Sequence, residues 1–181
     1  MKKQLKQLIG LLIALAVVVG GYFIIKYVAA HQEIETETIN VTELYHADKE
    51  SVTEVEYIHG EIDVDLVREG ETWYLKNDKD TELDQDAVGT VVGFACSLNY
   101  KTQIDEHGEL SEYGLDDPSY IVTVTDAQGV AQTYYIGDYF TLEGTYFAKL
   151  EGTDTVYTIA STYPSAFDAD VEHYKATEEM E

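Results

Sequence analysis

The stretch Glu109–Tyr120, ELSEYGLDDPSY, sets two apolar anchors, a glycine, paired acids and a proline within twelve positions. Acids beside a tyrosine are also what a metal or acid/base cluster is made of, so the neighbouring sequence has to decide between a site and a joint. Leu110, Tyr113 and Leu115 can face a core from a single helical turn, and Gly114 supplies the left-handed residue that ends it. Pro118 then blocks continuation and Tyr120 opens an extended run. Asp116 is placed to hydrogen-bond at the turn, while Asp117 is a solvated acid. The stretch reads as a joint between a helical turn and a strand.

Downstream of the joint, SYIVTVTD, AQTYYIGD, GTYFAKLEG and DTVYTIAS are runs rich in β-branched and aromatic residues. Asp126–Gly129 and Glu151–Asp154 turn the first pair and the last pair into hairpins. STYPSAF follows as a short helix, with Ser161 or Thr162 at its cap and Pro164 in its first turn. Upstream, VTEVEYIHG, EIDVDLVREG and ETWYLKN form a meander of half-buried strands, in which Ile62, Val64 and Leu66 alternate against Asp63, Asp65 and Val67. Asp84 or Asp86 caps a helix in which Ala87, Val88, Val91, Val92, Ala95 and Leu98 recur at helical spacing. Gly89 and Gly93 weaken that helix by roughly 1 kcal/mol each relative to alanine, which predicts close approach to another backbone. YKTQI adds a further strand. The expected fold class is α+β: a mainly antiparallel sheet meander with one central helix and a short C-terminal helix.

Ahead of this domain, three lysines precede an uncharged run from Gln7 to Ile25 that ends at Lys26. Its length matches a membrane-spanning helix. A cleaved signal peptide is the rival, with Val28-Ala29-Ala30 as small residues before a cut, but the apolar run outlasts a normal signal core. Lysines on the N-terminal side place the tail in the cytoplasm and the remainder outside. The expected layout is a tail and anchor over 1–30, contacting lipid through residues 8–25, an acidic stalk over 31–50, an extracytoplasmic α+β domain over 51–168 and a charged tail over 169–181.

Charge narrows the partners. All thirty-five acids lie after residue 31, with seven of the eleven bases counted after Lys26, leaving −28 on that portion. Nucleic acid is excluded, because its binding depends on Lys and Arg displacing counterions from phosphate. The same charge predicts a soluble, monomeric fragment from His31 onward.

Candidate chemistry is sparse. His59, Glu61 and Asp63 have the spacing of metal ligands on one strand, but zinc needs more convergent ligands and Gly60 implies a turn. NDKDTELDQD offers acids at alternate positions, yet Leu83 stands where a calcium loop needs its glycine. Cys96 reads as a buried small residue within the apolar helix. The serines lack a nucleophile elbow. The many tyrosines with Trp73 leave a glycan- or solute-binding surface as the alternative to a half-buried sheet face. No catalytic, cofactor-binding or metal-ligating residue is assigned.

Trp73-x-Leu75, Asp84-Gln85 before an apolar helix, LSEYGLDDP, YYIGD and VYTI, in that order, resemble the bacterial envelope family called domain of unknown function 4340. The resemblance runs over about residues 70–167. Its structural motif comprises Trp73, Leu75, Leu110, Tyr113, Gly114, Leu115, Asp116, Pro118 and Gly137. The resemblance implies a membrane-tethered extracytoplasmic domain, present here in a single copy and sometimes associated with ABC-type transporters, with no catalytic residues to carry over. The expected function is an accessory or protein-interaction module of the cell envelope, not an enzyme, with a solute- or glycan-binding module as the alternative.

Overall fold

A computed structural model describes residues 42–176. The expected cytoplasmic tail and anchor over 1–30, residues 31–41 of the expected stalk and the last five residues lie outside the described part of the chain. No helix among the described residues is long and apolar enough to cross a membrane.

Alternating apolar residues build ten strands: β1 (Thr42–His46), β2 (Val52–His59), β3 (Ile62–Glu69), β4 (Thr72–Leu75), β5 (Ser97–Tyr100), β6 (Thr102–Ile104), β7 (Tyr120–Asp126), β8 (Ala131–Phe140), β9 (Thr145–Leu150) and β10 (Val156–Ala160). Helix α1 spans Gln85–Ala95, and 3-10 turns occupy Leu110–Tyr113, Pro164–Phe167 and Val171–Tyr174. Eight strands form one antiparallel sheet in the order β4-β3-β2-β7-β8-β9-β10-β6, while β1 and β5 pair as a separate ribbon. Hairpin neighbours make up most of the sheet. The β2–β7 and β10–β6 pairs bring distant segments together.

The core lies on one face of the sheet, under α1. Val55 and Tyr57 of β2, Val64 and Leu66 of β3, Val122 and Val124 of β7, and Tyr134 and Ile136 of β8 bury against Val88, Val91 and Val92 of the helix. Asp84 is the N-cap, its carboxylate accepting from the Asp86 and Ala87 amides. No basic residue serves the last turn of α1. Two tyrosine hydroxyls satisfy its carbonyls instead: Tyr163 donates to Phe94 (2.6 Å) and Tyr134 to Ala95 (3.2 Å), with 2.8 Å between the two phenols.

Five sequence expectations change, and the first is the short C-terminal helix: it is a single 3-10 turn over Pro164–Phe167 that follows Tyr163, with no side-chain cap from Ser161 or Thr162. Residues 42–50, assigned to the stalk, contain β1, whose Tyr45 and Leu44 pack on the core, because pairing with β5 supplies the backbone partners that the local sequence does not. The helix ends at Ala95, so Cys96 caps it and Leu98 belongs to β5, both still buried. Gly89 and Gly93 face a side chain rather than a backbone: Lys49 lies over both, and its ammonium donates to the Gly89 carbonyl. The charged tail over 169–181 is not all tail. Tyr174 is 2% exposed, and the Tyr57 hydroxyl lies 2.9 Å from its phenol and donates to the Ala169 carbonyl at 2.5 Å.

These buried phenols predict an alkaline limit to stability. Burial raises Tyr57, Tyr134, Tyr163 and Tyr174 above the ordinary phenol range, and pushes Tyr45 up to about 12, with the neighbouring Cys96 and Asp126 adding to it. An unfolded tyrosine titrates near pH 10, roughly. The folded state therefore holds these protons more tightly, so the contribution is complete below about pH 10 and is lost as pH rises through the folded values. Tyrosinate absorbance of the fragment Asn40–Glu181 should rise in two stages, exposed rings first and the buried set together with unfolding. A single smooth titration of all rings while the circular dichroism stays native would contradict this packing.

Candidate protein-interaction surface

The joint is a 3-10 turn closed by Gly114 at φ 66°, with the Leu115 amide donating back to the Leu110 carbonyl at 3.0 Å. Where it docks was not legible locally. A Cβ built on Gly137 would lie 2.2 Å from the Tyr113 carbonyl oxygen and 2.8 Å from Gly114, so two backbones touch with no side chain between them. A Cβ on Gly114 would in turn meet the Asp138 carboxylate at 2.6 Å. Gly137 sits where the β8–β9 register shifts, between Ile136 and Tyr139, and this irregularity bends β8 around the joint. Two motifs separated in sequence, LSEYGLDDP and YYIGD, are thus the halves of one contact.

Leu115 is buried, but it stands apart from the main core cluster, as does Val156. By register, Phe147 and Thr158 sit opposite one another and face away from the helix, so the joint covers the outer face of β8–β9. Tyr113 meets Phe147 edge-on at 4.9 Å and His107 at 5.9 Å. Leu110 and Tyr113 are only half-buried, unlike the core positions their helical spacing implied. Asp116 and Asp117 are exposed and Pro118 is half-buried.

Beyond Gly137 the hairpin projects past β7. Phe140 stacks on Phe147 at 5.3 Å on one face, and Tyr139 packs against Tyr146 at 5.0 Å on the other. Tyr139 is 48% exposed, and Leu142 at the apex is 89% exposed. The surrounding sequence from Thr102 to Ala148 carries nine acids and neither lysine nor arginine.

The family model described as Domain of unknown function (DUF4340) matches residues 73–181. The chain belongs to this family. No curated protein matches the chain, and no solved structure does. The DUF4340 match opens at Trp73, yet β2 and β3 lie ahead of it and supply Val55, Tyr57, Val64 and Leu66 to the core. The folded unit therefore begins well before the matched residues.

Trp73 and Leu75 of the motif point inward from β4, at 6% and 8% exposure. Gln85, the residue after the helix cap, explains their link to α1. Its Oε1 accepts from the Trp73 amide (2.8 Å), and its Nε2 donates to the carbonyls of Trp73 (3.1 Å) and Leu83 (3.2 Å). One side chain thereby occupies the outer edge of the sheet, where an unpaired strand would otherwise present open hydrogen-bonding groups. The Arg68 guanidinium lies 5.7 Å from the Trp73 ring centroid and donates to the Lys49 and Glu50 carbonyls. Trp73 is therefore a covered anchor and not an open platform for a sugar.

Other sequence candidates fall into structural roles. His59 stacks on Tyr120 at 3.9 Å, its Nδ1 lies 2.8 Å from the Ser119 carbonyl, and its Nε2 lies 3.7 Å from Asp168, which accepts from the Tyr120 hydroxyl. Glu61 stands in the β2–β3 turn, so the His59, Glu61 and Asp63 set does not share one strand face. In the acidic loop, Asp78 accepts from the Thr81 hydroxyl, which lowers its pKa, and Asp84 is committed to the helix cap. No group of three or more metal-ligating side chains converges among the described residues. Burial raises the Cys96 thiol, which keeps it protonated and unreactive. A cleft of about 550 Å³ lies between α1 and the C-terminal turns, lined by Thr90, Phe94, Ser165, Asp168 and His173 among others. A second, of about 870 Å³, is edged by Lys49, Arg68 and Gln85 together with three acids.

Proposed function

We propose that this DUF4340 chain is a membrane-anchored accessory module of the bacterial cell envelope. Its extracytoplasmic domain holds another envelope protein, in the setting of an ABC-type transporter, and performs no chemistry of its own. The observation that carries this reading is the projecting β8–β9 hairpin, which exposes Tyr139 and Leu142 on a base held by the Gly114–Gly137 contact. A fold gains nothing from an apolar apex in water, whereas an interface does. The N-terminal apolar run supports the anchor, and the acidic surface suits a domain that stays dispersed away from lipid.

Crosslinking of the full chain in native membranes tests this. The chain should stay with membranes through a high-salt wash, while the fragment Asn40–Glu181 should stay in solution. A discrete membrane-protein adduct is expected across several surface positions. Turnover of a substrate by the purified domain, or a solute that raises its melting temperature at low concentration, would favour the enzyme or the solute-binding alternative instead.

A further inference from the structure

Resting on that interaction reading, we infer that the β8–β9 hairpin tip is the docking element, and that its partner is a protein presenting an apolar pocket rimmed by lysine or arginine.

The tip is built to project without bending. Phe140 and Phe147 brace one face of the hairpin and Tyr139 and Tyr146 the other. The direct backbone contact of Gly137 with Tyr113 and Gly114 fixes the base, so little ordering entropy remains to be lost on docking. Leu142 is the only large apolar residue in the four-residue turn after Phe140, and it is the most exposed large apolar side chain among the described residues. Val130, in the β7–β8 turn at the opposite end of β8, is 64% exposed but is flanked by no aromatic pair, which makes it an ordinary isolated surface residue.

Charge selects the partner. Asp138 and Glu143 flank the exposed apex, and the joint against its base carries Glu112, Asp116 and Asp117. These acids, close to the exposed apex, repel anionic lipid headgroups and the same tip of a second copy. A basic rim around an apolar pocket complements it, the charges steering the encounter and Leu142 with Tyr139 supplying the buried anchor.

The test places a photo-crosslinking amino acid at Tyr139 of the full-length chain in native membranes, with the same group at Val130 and at Phe94 in parallel chains. The adduct from position 139 should join a peptide that carries at least two lysines or arginines, with far less from position 130. Adding Leu142→Ser to the position-139 chain should lower the yield about tenfold, the effect of removing one interface anchor. Glu143→Lys should lower it several-fold, and added salt should do the same. The melting temperature of the fragment should not move with Leu142→Ser, since that side chain is outside the core. A lipid adduct, an adduct to a second copy, an acidic peptide, equal yields at 139 and 130, or indifference to Leu142→Ser would each overturn the inference. If position 94 captures a partner and position 139 does not, the accessory-module reading survives while this one fails. Capture at no position defeats both.

Discussion

Gly137→Ala is expected to be the most disruptive glycine-to-alanine change among the described residues, costing about 3 kcal/mol in urea unfolding of the fragment Asn40–Glu181. The glycine's φ is not in the left-handed region, so the penalty is steric. The new Cβ would sit 2.2 Å from the Tyr113 carbonyl oxygen, and backbone on both sides leaves no flexible side-chain end to move aside. Either β8 straightens and loses its register shift, or the joint lifts off and exposes Leu115 and the Phe147 face. Gly114→Val should cost about 2 kcal/mol by a different route, a β-branched residue forced to φ 66° and against the Asp138 carboxylate. The two changes disturb one contact, so the double variant should fall short of the sum. Asp117→Asn should leave the unfolding midpoint unchanged. If Gly137→Ala is tolerated with an unchanged midpoint, the joint does not touch β8 and the shared-contact account is wrong.

Tyr174→Ala should cost a further large amount, about 3–4 kcal/mol, as expected for emptying the space of a buried aromatic ring. Part of the loss is polar. The Tyr57 hydroxyl keeps the Ala169 carbonyl but loses the phenol 2.9 Å away. The rest comes from the segment around it, because the Tyr174 carbonyl accepts from the Asp84 amide at 2.8 Å and the Ala176 amide donates to the Glu82 carbonyl at 2.9 Å. These bonds tie the chain's end to the loop that leads into α1. Tyr174→Phe separates the contributions: it keeps the ring and should cost only about 1 kcal/mol through the lost hydroxyl partner. A fragment truncated before Val171 that melts like the longer one would show that the C-terminal segment is the mobile tail its composition suggested.

Much of the architecture was legible because it is local. Alternation in Ile62–Leu66, the Asp126–Gly129 turn and the Asp84 cap each state their structure within a few residues, since strand period, turn chemistry and capping act over that range. The projecting tip was half visible: YYIGD and GTYFAKLEG mark the strands, but nothing in the letters says that β8 runs past β7 and leaves Leu142 in water.

The amino-acid sequence by itself determined the antiparallel hairpins, the helix over Gln85–Ala95 with its cap, the left-handed Gly114 that ends the joint, and the strongly acidic balance of the chain. Tertiary structure alone decided that β2 pairs with β7, that Thr42–His46 is a strand rather than stalk, that Tyr174 is core rather than tail, and that Gly137 is a glycine because Tyr113 and Gly114 press on it. The physical reason is the same in each case. These features depend on groups tens of residues away that satisfy a backbone hydrogen bond or exclude a methyl group, and a residue's own neighbours carry no record of what will be packed against it.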